Sequence, residues 1–449
     1  MFQKILIANR GEIAVRVIRA CREMGIACVA VYSEADREAL HTQLADEAIC
    51  IGKAAPADSY LNIERILSAA AACGAEAIHP GFGFLSENAK FAQMCEQCGI
   101  AFIGPGYEVI RSMGNKQEAR NTMMAAKVPV VPGTKEPVFS SDVGLKRAGE
   151  IGYPVMIKAV SGGGGKGMRV SYSDDDFAEN FDVAQRESEA GFGDDTMYIE
   201  KFIEEPRHIE FQILADKYGN VVSLGERDCT VQRRHQKLIE ESPSPVLDSK
   251  LRKEMSEAAV RAAKAARYVS SGTIEFLLDK HKKFYFMEMN TRIQVEHPVT
   301  EMVTGIDLIK AQIRIAAGEK LWLRQRDIKP SGHAIECRIN AEDPDKKFMP
   351  SPGKVTYINL PGGNGVRVDS AIFAGCEIPP NYDSMVAKII VHAPDRQSAL
   401  RKMRSALGEI IVEGVTTNLD YQYDIISDPV FAGGEYSTDY IEEFERRRR

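Results

Sequence analysis

Along the first 110 residues, short apolar runs alternate with stretches whose apolar positions recur at helical spacing. KILIAN (4–9), IACVAVYS (26–33), AEAIHP (75–80) and AFIG (101–104) read as strands. Ile13, Val17, Ile18 and Cys21 give residues 11–24 one apolar helical face, which stops at Gly25. Strands separated by helices require crossovers, so this region is expected to be α/β with a parallel sheet. From about 115 to 330 the pattern changes to strands joined by short turns, with one long helical stretch at 248–267. From 331 onward short strands (HAIECRIN, KVTYINL) and Gly/Pro-rich turns precede a helix at 396–410. The two-proline segment KVPVVPGT (127–134) reads as a boundary. The chain is thus expected to combine α/β and α+β organisation.

The most informative pattern is GTIEFLLDKHKKFYFMEMNTRIQVEHP (272–298). Two strand-like runs flank Lys280-His281-Lys282-Lys283, which predicts a hairpin with a four-residue loop. That register pairs Leu277 with Phe286 and Glu275 with Glu288, whose Cβ atoms would lie about 5 Å apart. Two carboxylates so close repel unless a cation lies between them, and oxygen ligands suit Mg²⁺ or Mn²⁺ bridging to phosphates rather than zinc. If the chain stays extended, Glu288, Asn290, Arg292, Gln294 and Glu296 share one face, because strand side chains alternate with period two. This row offers metal ligands, a fork donor, an amide and a carboxylate, which a solvated face has no need of. His208, Glu210 and Gln212 alternate with Ile209, Phe211 and Ile213 in a second polar row. Gln232, Arg233, Arg234, His235 and Lys237 form a third cluster.

A glycine-rich turn, SGGGGKGM, lies between two strand-like runs and is preceded by Lys158. Lys166 is followed by Gly167 rather than Ser or Thr, and the loop opens a strand rather than a helix, so it is not a P-loop. Its backbone is free to approach a polyanion, and phosphate covering is the expected role. Near the N-terminus only Gly11 of a dinucleotide fingerprint is present, which argues against nicotinamide binding.

Composition narrows the class. The 449 residues carry a net charge of −7 and ordinary globular proportions, 44% hydrophobic and 27% charged. A protein devoted to nucleic acid would show a basic surplus, so no nucleic-acid partner is expected. No 18-residue apolar run exists for a membrane span, and MFQKILIANRGE carries no cleavable apolar segment, so a cytoplasmic location is expected. Nine irregularly spaced cysteines suggest thiols in a reducing compartment, and the lone C-x-x-C at Cys95 and Cys98 has no second pair with which to bind zinc.

With these residues in view, the chain resembles the ATP-grasp enzymes, and within them the biotin carboxylase family. The resemblance runs through IANRGEIAVRVIRA, HPGFGFLSEN, SGGGGKGMRV, ERDCTVQRRHQK, EMNTRIQVEHPVTEM, ECRINAEDP, PSPGK and PPNYDSM, nearly the whole chain. It implies a Rossmann-like N-terminal domain (1–113), an ATP-grasp domain (114–330) with a lid at about 131–204, and a C-terminal domain (331–446). ATP would be met by Lys116, Lys158, Gly164, Gly165, Glu200, Lys201, Ile203, His208, Gln232, His235, Glu275, Leu277 and Glu288. Glu275, Glu288 and Asn290 would hold metal, with two Mg²⁺ or Mn²⁺ sites expected. Bicarbonate would be gripped by Lys237, Arg292, Gln294 and the Val295 backbone, with Glu296 as general base. Arg338 would stabilise the biotin enolate, with Asp383 nearby. Phe82 stands where the family often has Tyr, which removes one hydroxyl on the biotin side.

The family's reaction makes carboxyphosphate from bicarbonate and ATP, then carboxylates biotin. It requires no protein nucleophile, and Cys229, though in the region, is not expected to act as one. No Met-Lys-Met biotinyl motif occurs, so biotin is expected on a separate carrier protein, with carboxyltransferase subunits and a homodimeric state implied by the family. Acetyl-CoA carboxylase is the expected complex, and a split acyl-CoA or pyruvate carboxylase is the alternative. An ATP-grasp ligase of another kind is disfavoured by Arg338 and the QVEHP row.

Overall fold

A computed structural model of the chain describes residues 1–134, 136–159, 167–192 and 195–448, with backbone only at 191 and 192. The glycine loop, including Gly164 and Gly165, lies outside the described residues apart from Gly167. The described chain forms two units, one of Met1–Val128, Arg207–Phe276 and Glu288–Arg449, the other of Pro129–Pro206 and Leu277–Met287.

The first unit begins with a parallel sheet of strands Lys4–Ile7, Ala27–Ser33, Glu47–Gly52, Ala77–His79 and Ala101–Phe102, with Lys4–Ile7 central. Glu47–Gly52 is an edge strand that the sequence pattern did not suggest. Only Ile51 is buried there, although the sequence EAICIG carries a short apolar run. Helix Gly11–Glu23 buries Ile13, Val17, Ile18 and Cys21 as its periodicity requires, and also Glu12 and Arg16. Two charges on a buried face need partners, and these come from distant sequence. Arg16 pairs with Glu301 at 2.9 Å and Asp307 at 2.8 Å, and Glu12 lies 3.2 Å from Lys388.

The largest sheet has eight strands in the order Phe284–Asn290, Ser270–Leu278, Arg207–Ala215, Val221–Arg233, Gln236–Ser242, His333–Asn340, Met385–Ala393 and Val366–Ser370. Period two sorts its side chains. Ile209, Phe211, Ile213, Ile274 and Phe276 are buried, and helix Ser249–Ala265 packs on strands Arg207–Ala215 and Val221–Arg233. That helix offers Leu251, Met255, Ala258, Ala259 and Ala262, and the small alanines permit close approach. Asp248 caps it through the Leu251 N–H, a contribution of about 1 kcal/mol. His208, Glu210, Gln212, Thr273, Glu275, Glu240, Glu336 and Lys388 are polar and yet buried. Such a face is stable only when its members satisfy one another.

Between 115 and 330 the described chain has more helix than its sequence suggested. Lys116–Ala125, Ser141–Ile151, Asp174–Phe192, His297–Thr304 and Leu308–Ala316 are all helical. In Asp174–Phe192 the buried positions Phe177, Phe181 and Ala184 do repeat at i, i+4 and i+7, but the surrounding acidic residues dilute the signal. In the second unit this helix and Ser141–Ile151 pack on an antiparallel sheet of Met168–Ser171, Val155–Ala159 and Met197–Lys201.

Two local expectations are corrected. The hairpin turn closes more tightly than a four-residue loop, because the Asp279 N–H donates to the Lys283 carbonyl at 2.8 Å and the Asp279 carboxylate takes the His281 and Lys283 N–H groups. The strand also ends at Asn290 instead of running to Glu296. Beyond it the Thr291 N–H turns to the Glu87 carboxylate at 3.0 Å, and Pro298 helps open helix His297–Thr304.

A buried knot fastens the sheet to the C-terminal region. Glu241 accepts from Arg396 at 2.7 and 3.0 Å, from Tyr436 at 2.6 Å and pairs with His333 at 2.7 Å. Burial opposes its ionisation, but His333 and Arg396 prevail and hold its carboxyl down at about 2. The unfolded chain binds this proton near 4.5 and the native chain does not, so the stabilisation is complete above that pH and is lost as pH falls toward 2. Denaturant titrations at pH 6 and pH 3 should show an acid loss of about 2 kcal/mol in the parent that is absent in Glu241→Gln. Equal acid sensitivity in both proteins would refute the assignment.

Candidate active site

The polar face of the large sheet converges on Glu296, which ends the irregular stretch after Asn290 and stands just before helix His297–Thr304. Its side chain is fully buried. Lys237 Nζ donates to Oε1 at 2.7 Å and Arg338 Nη2 donates to Oε2 at 2.9 Å. Burial opposes its charge, yet Lys237, Arg338 and Arg227 hold it well below the ordinary carboxylate range. Lys237 in turn donates to Glu210 at 2.7 Å and Glu275 at 3.1 Å, and these three carboxylates outweigh its desolvation and keep it protonated. Glu296 is therefore ionised and able to accept a proton, whereas Lys237 can only donate.

Cys229 is no rival base. Its Sγ lies 3.9 Å from Glu296, and burial followed by the charge of Glu210 pushes the thiol well above its ordinary range.

Glu275 is the second hub. Oε1 accepts from Asn290 at 2.7 Å, Lys237 at 3.1 Å and Gln294 at 3.3 Å, while Oε2 meets His208 Nε2 at 2.6 Å. The Gln232 amide nitrogen reaches His208 Nδ1 at 2.7 Å and can only donate there, so the histidine proton resides on Nε2 and goes to Glu275. Arg292 is held by Glu87 (2.9 Å), Gln294 Oε1 (2.8 Å) and Asn290 Oδ1 (3.2 Å). The chain leaves the strand at Asn290, and side-chain hydrogen bonds gather the row that the extended-strand argument expected.

Beneath these groups lies a layer that the sequence reading did not assign. Arg227 is fully buried and donates to Glu210 (2.5 Å), Gln212 (2.7 Å), Thr300 (2.9 Å) and Thr273 (3.1 Å). Glu240 receives Arg338 Nε at 2.6 Å and sits directly across from Glu336 on the neighbouring strand. Burial, countered by Arg338 and reinforced by Glu296, pushes Glu240 up to about 7, and burial pushes Glu336 well above the carboxylate range. Glu210, Glu240, Glu275 and Glu296 thus draw on three cations, Arg227, Lys237 and Arg338, and the excess is carried as protons. Alternation had marked Glu210 and Gln212 as a polar row. No local signal identified Glu87, Arg227 or Glu240 as site residues.

The remaining expected residues are placed as follows. Glu288 lies exposed near Glu275, and desolvation and the charge of Glu275 push its carboxyl up. Glu275, Glu288 and Asn290 bring two carboxylates and an amide oxygen together, a donor set that fits a hard divalent cation. Lys116 is exposed at the start of helix Lys116–Ala125, and His235 is exposed in a turn with φ +65°. In the second unit, Lys158 and Glu200 form an ion pair and are cross-strand neighbours of Tyr198 and Met156. Lys201 there donates to the Tyr153 carbonyl at 2.6 Å. Ile203 is buried and Leu277 half-buried. Asp383 accepts from the Met385 N–H at 2.9 Å and is not among the hydrogen-bond partners of Arg338. The adjacent Tyr382 is anchored under Arg10 (4.1 Å) and donates to the Ala54 carbonyl at 2.7 Å. Phe82 is half-buried, and its backbone carbonyl accepts from Asn9 at 2.8 Å.

Known proteins match the chain along almost its whole length. Residues 1–110 match the biotin carboxylase N-terminal domain, 115–324 the carbamoyl-phosphate synthase L chain ATP-binding domain, and 336–443 the biotin carboxylase C-terminal domain. The chain is 59% identical to a biotin carboxylase of Nostoc sp., covering 99% of this chain and 100% of that protein. It is 54% identical to a pyruvate carboxylase subunit of Methanothermobacter thermautotrophicus, covering 99% and 91%. Among solved structures, the biotin carboxylase domain dimer of Hydrogenobacter thermophilus 2-oxoglutarate carboxylase, in complex with MgADP, ADP and bicarbonate, superposes with a TM-score of 0.89 at 51% identity over 99% and 98% of the two chains. No helix among the described residues is long and apolar enough to cross a membrane. The ATP-grasp architecture, the buried Lys237–Glu296–Arg338 arrangement and the full-length similarity have one explanation: the chain belongs to the biotin carboxylase family of ATP-dependent ligases.

Proposed function

We propose that this chain carboxylates the biotin of a separate carrier protein, using bicarbonate and ATP, as the first half-reaction of acetyl-CoA carboxylase. The observation that carries this reading is Glu296, a buried carboxylate kept ionised between Lys237 and Arg338. When bicarbonate binds, Lys237 and Arg292 grip its oxygens together with Gln294 and the Val295 N–H. Sharing Lys237 with the incoming anion weakens its hold on Glu296 and raises the basicity of that carboxylate. Glu296 then takes the bicarbonate proton as the freed oxygen attacks the γ-phosphorus of ATP and ADP leaves. Carboxyphosphate breaks into CO₂ and phosphate, phosphate takes the N1′ proton of biotin, and the enolate attacks CO₂. Arg338, with Glu240 behind it, stabilises the enolate oxygen.

Glu275, Glu288 and Asn290 would hold Mg²⁺ or Mn²⁺, which when bound supplies charge neutralisation for the transferring phosphoryl group. Nucleotide is assigned to Lys116, His208, Gln232 and His235 of the first unit and to Lys158, Gly164, Gly165, Glu200, Lys201, Ile203 and Leu277 of the second. Asp383 is assigned to the biotin side. The proposed domains are 1–113, 114–330 and 331–446, the working form is a homodimer, and the partners are the biotin carrier and carboxyltransferase subunits in the cytoplasm.

Phosphate release from ATP, Mg²⁺ and bicarbonate should be stimulated by free biotin and should vanish without bicarbonate. Stimulation by an amine instead, with none by biotin or a biotinylated carrier, would mean a different ATP-grasp ligase. A split pyruvate carboxylase is the second reading, because the Methanothermobacter relative is 54% identical over nearly all of this chain. Reconstitution with acetyl-CoA or pyruvate carboxyltransferase and its carrier decides between the two.

A further inference from the structure

The bicarbonate site proposed above depends on a backbone amide, the Val295 N–H, in a stretch that belongs to neither strand nor helix. An amide there needs something to aim it. Two buried side chains grip the peptides on either side. His297 Nδ1 meets the Gln294 carbonyl oxygen at 2.8 Å, and Lys388 Nζ donates to the Val295 carbonyl oxygen at 2.6 Å. The Gln294 carbonyl can only accept, so His297 carries its proton on Nδ1. Its Nε2 has no hydrogen-bond partner and lies 3.9 Å from Glu301. Burial, followed by Lys388, Arg16 and Arg367, holds the ring well below its ordinary pKa and so keeps it neutral.

The Gln294–Val295 peptide is trans, and in a trans peptide the C=O and N–H point in opposite directions. Pinning the Gln294 carbonyl therefore orients the Val295 N–H away from His297. Lys388 fixes the following peptide plane, so the residue between is clamped from both sides.

Lys388 is an unusual choice if it serves only to neutralise charge. It is fully buried and lies 3.2 Å from Glu12, but neither Glu12 oxygen has a hydrogen-bond partner. Its short hydrogen bond goes to a neutral carbonyl instead. Lys388 is also the direct cross-strand partner of Arg338. One pair of cations on adjacent strands thus holds the Glu296 carboxylate and the carbonyl immediately before it.

We propose that His297 and Lys388 are positioning residues for bicarbonate, which clamp the Gln294 and Val295 carbonyls and thereby aim the Val295 N–H at the anion. The proposal rests on the functional reading above. It is tested by measuring KM for bicarbonate and for ATP separately in His297→Leu, His297→Asn and the double variant Lys388→Met/Glu12→Gln, which removes a buried charge pair together. His297→Leu and the double variant should raise the bicarbonate KM about 10-fold while leaving the ATP KM within about twofold. His297→Asn, whose amide nitrogen can stand in for Nδ1, should restore most of the loss. Unchanged bicarbonate KM, parallel shifts in both KM values, or an Asn variant no better than Leu would overturn the proposal while the parent's bicarbonate-dependent turnover stood. A parent without that turnover would overturn the functional reading and this proposal with it. If His297→Leu does not fold, the double variant makes the same measurement from the other carbonyl.

Discussion

Glu296→Gln should reduce bicarbonate-dependent phosphate release by about 10²–10⁴-fold, the contribution of a positioned general base. The substitution is nearly isosteric, and its neighbours keep partners. Lys237 retains Glu210 and Glu275, and Arg338 retains Glu240. The fold and nucleotide affinity should therefore survive, and calorimetric titration with ADP would read that affinity independently of turnover. Turnover within about threefold of the parent would place the base elsewhere. The electrostatics sharpen the expectation: Cys229 is held as a thiol and Lys237 as an ammonium, so neither can replace the lost carboxylate.

Arg227→Met should be the most destabilising single change in the site, by about 3–5 kcal/mol. Its guanidinium joins four side chains from three elements, and Met would fill the volume without any of those hydrogen bonds. Glu210 would remain buried with only Lys237 as its cation, and the competition for Lys237 would loosen Glu296 and Glu275 as well. The double variant Glu210→Gln/Arg227→Met should recover part of the loss, because the stranded carboxylate is removed with its partner. Thermal and urea unfolding of the three variants test this. A loss below about 1 kcal/mol in Arg227→Met would show that Lys237 and the surrounding hydroxyls suffice to compensate Glu210.

The two expectations differ in how visible their residues were in the sequence. Glu275, Asn290, Gln294 and Glu296 lie on two strand-like segments of one hairpin region, where period two and residue type were enough to group them. His208 and Gln212 stood out for the same reason. Arg227 has no such neighbourhood. Its value comes from facing Glu210 across two strands and Thr300 from a helix 73 residues away. Glu87 is more remote still, reaching Thr291 and Arg292 over 204 and 205 residues. Its local sequence, LSEN, gives no sign of that reach. The row grouped by alternation comes together in the fold although the chain bends at Thr291. Side-chain hydrogen bonds to Glu275 and Glu87 do the gathering that the strand was expected to do.

The amino-acid sequence determined on its own terms the parallel α/β start, the polar rows on alternating strands and the family resemblance. All of these depend on periodicity, residue type or local motif, which operate over a few residues. Tertiary structure decided the protonation states and the orientation of the site. Glu296 is ionised, Glu240 is raised to about 7, Cys229 stays a thiol and the Val295 peptide is clamped because groups distant in sequence share one poorly solvated face. Coulomb energies and desolvation depend on distance in space and on burial, and neither is written in the order of residues along the chain.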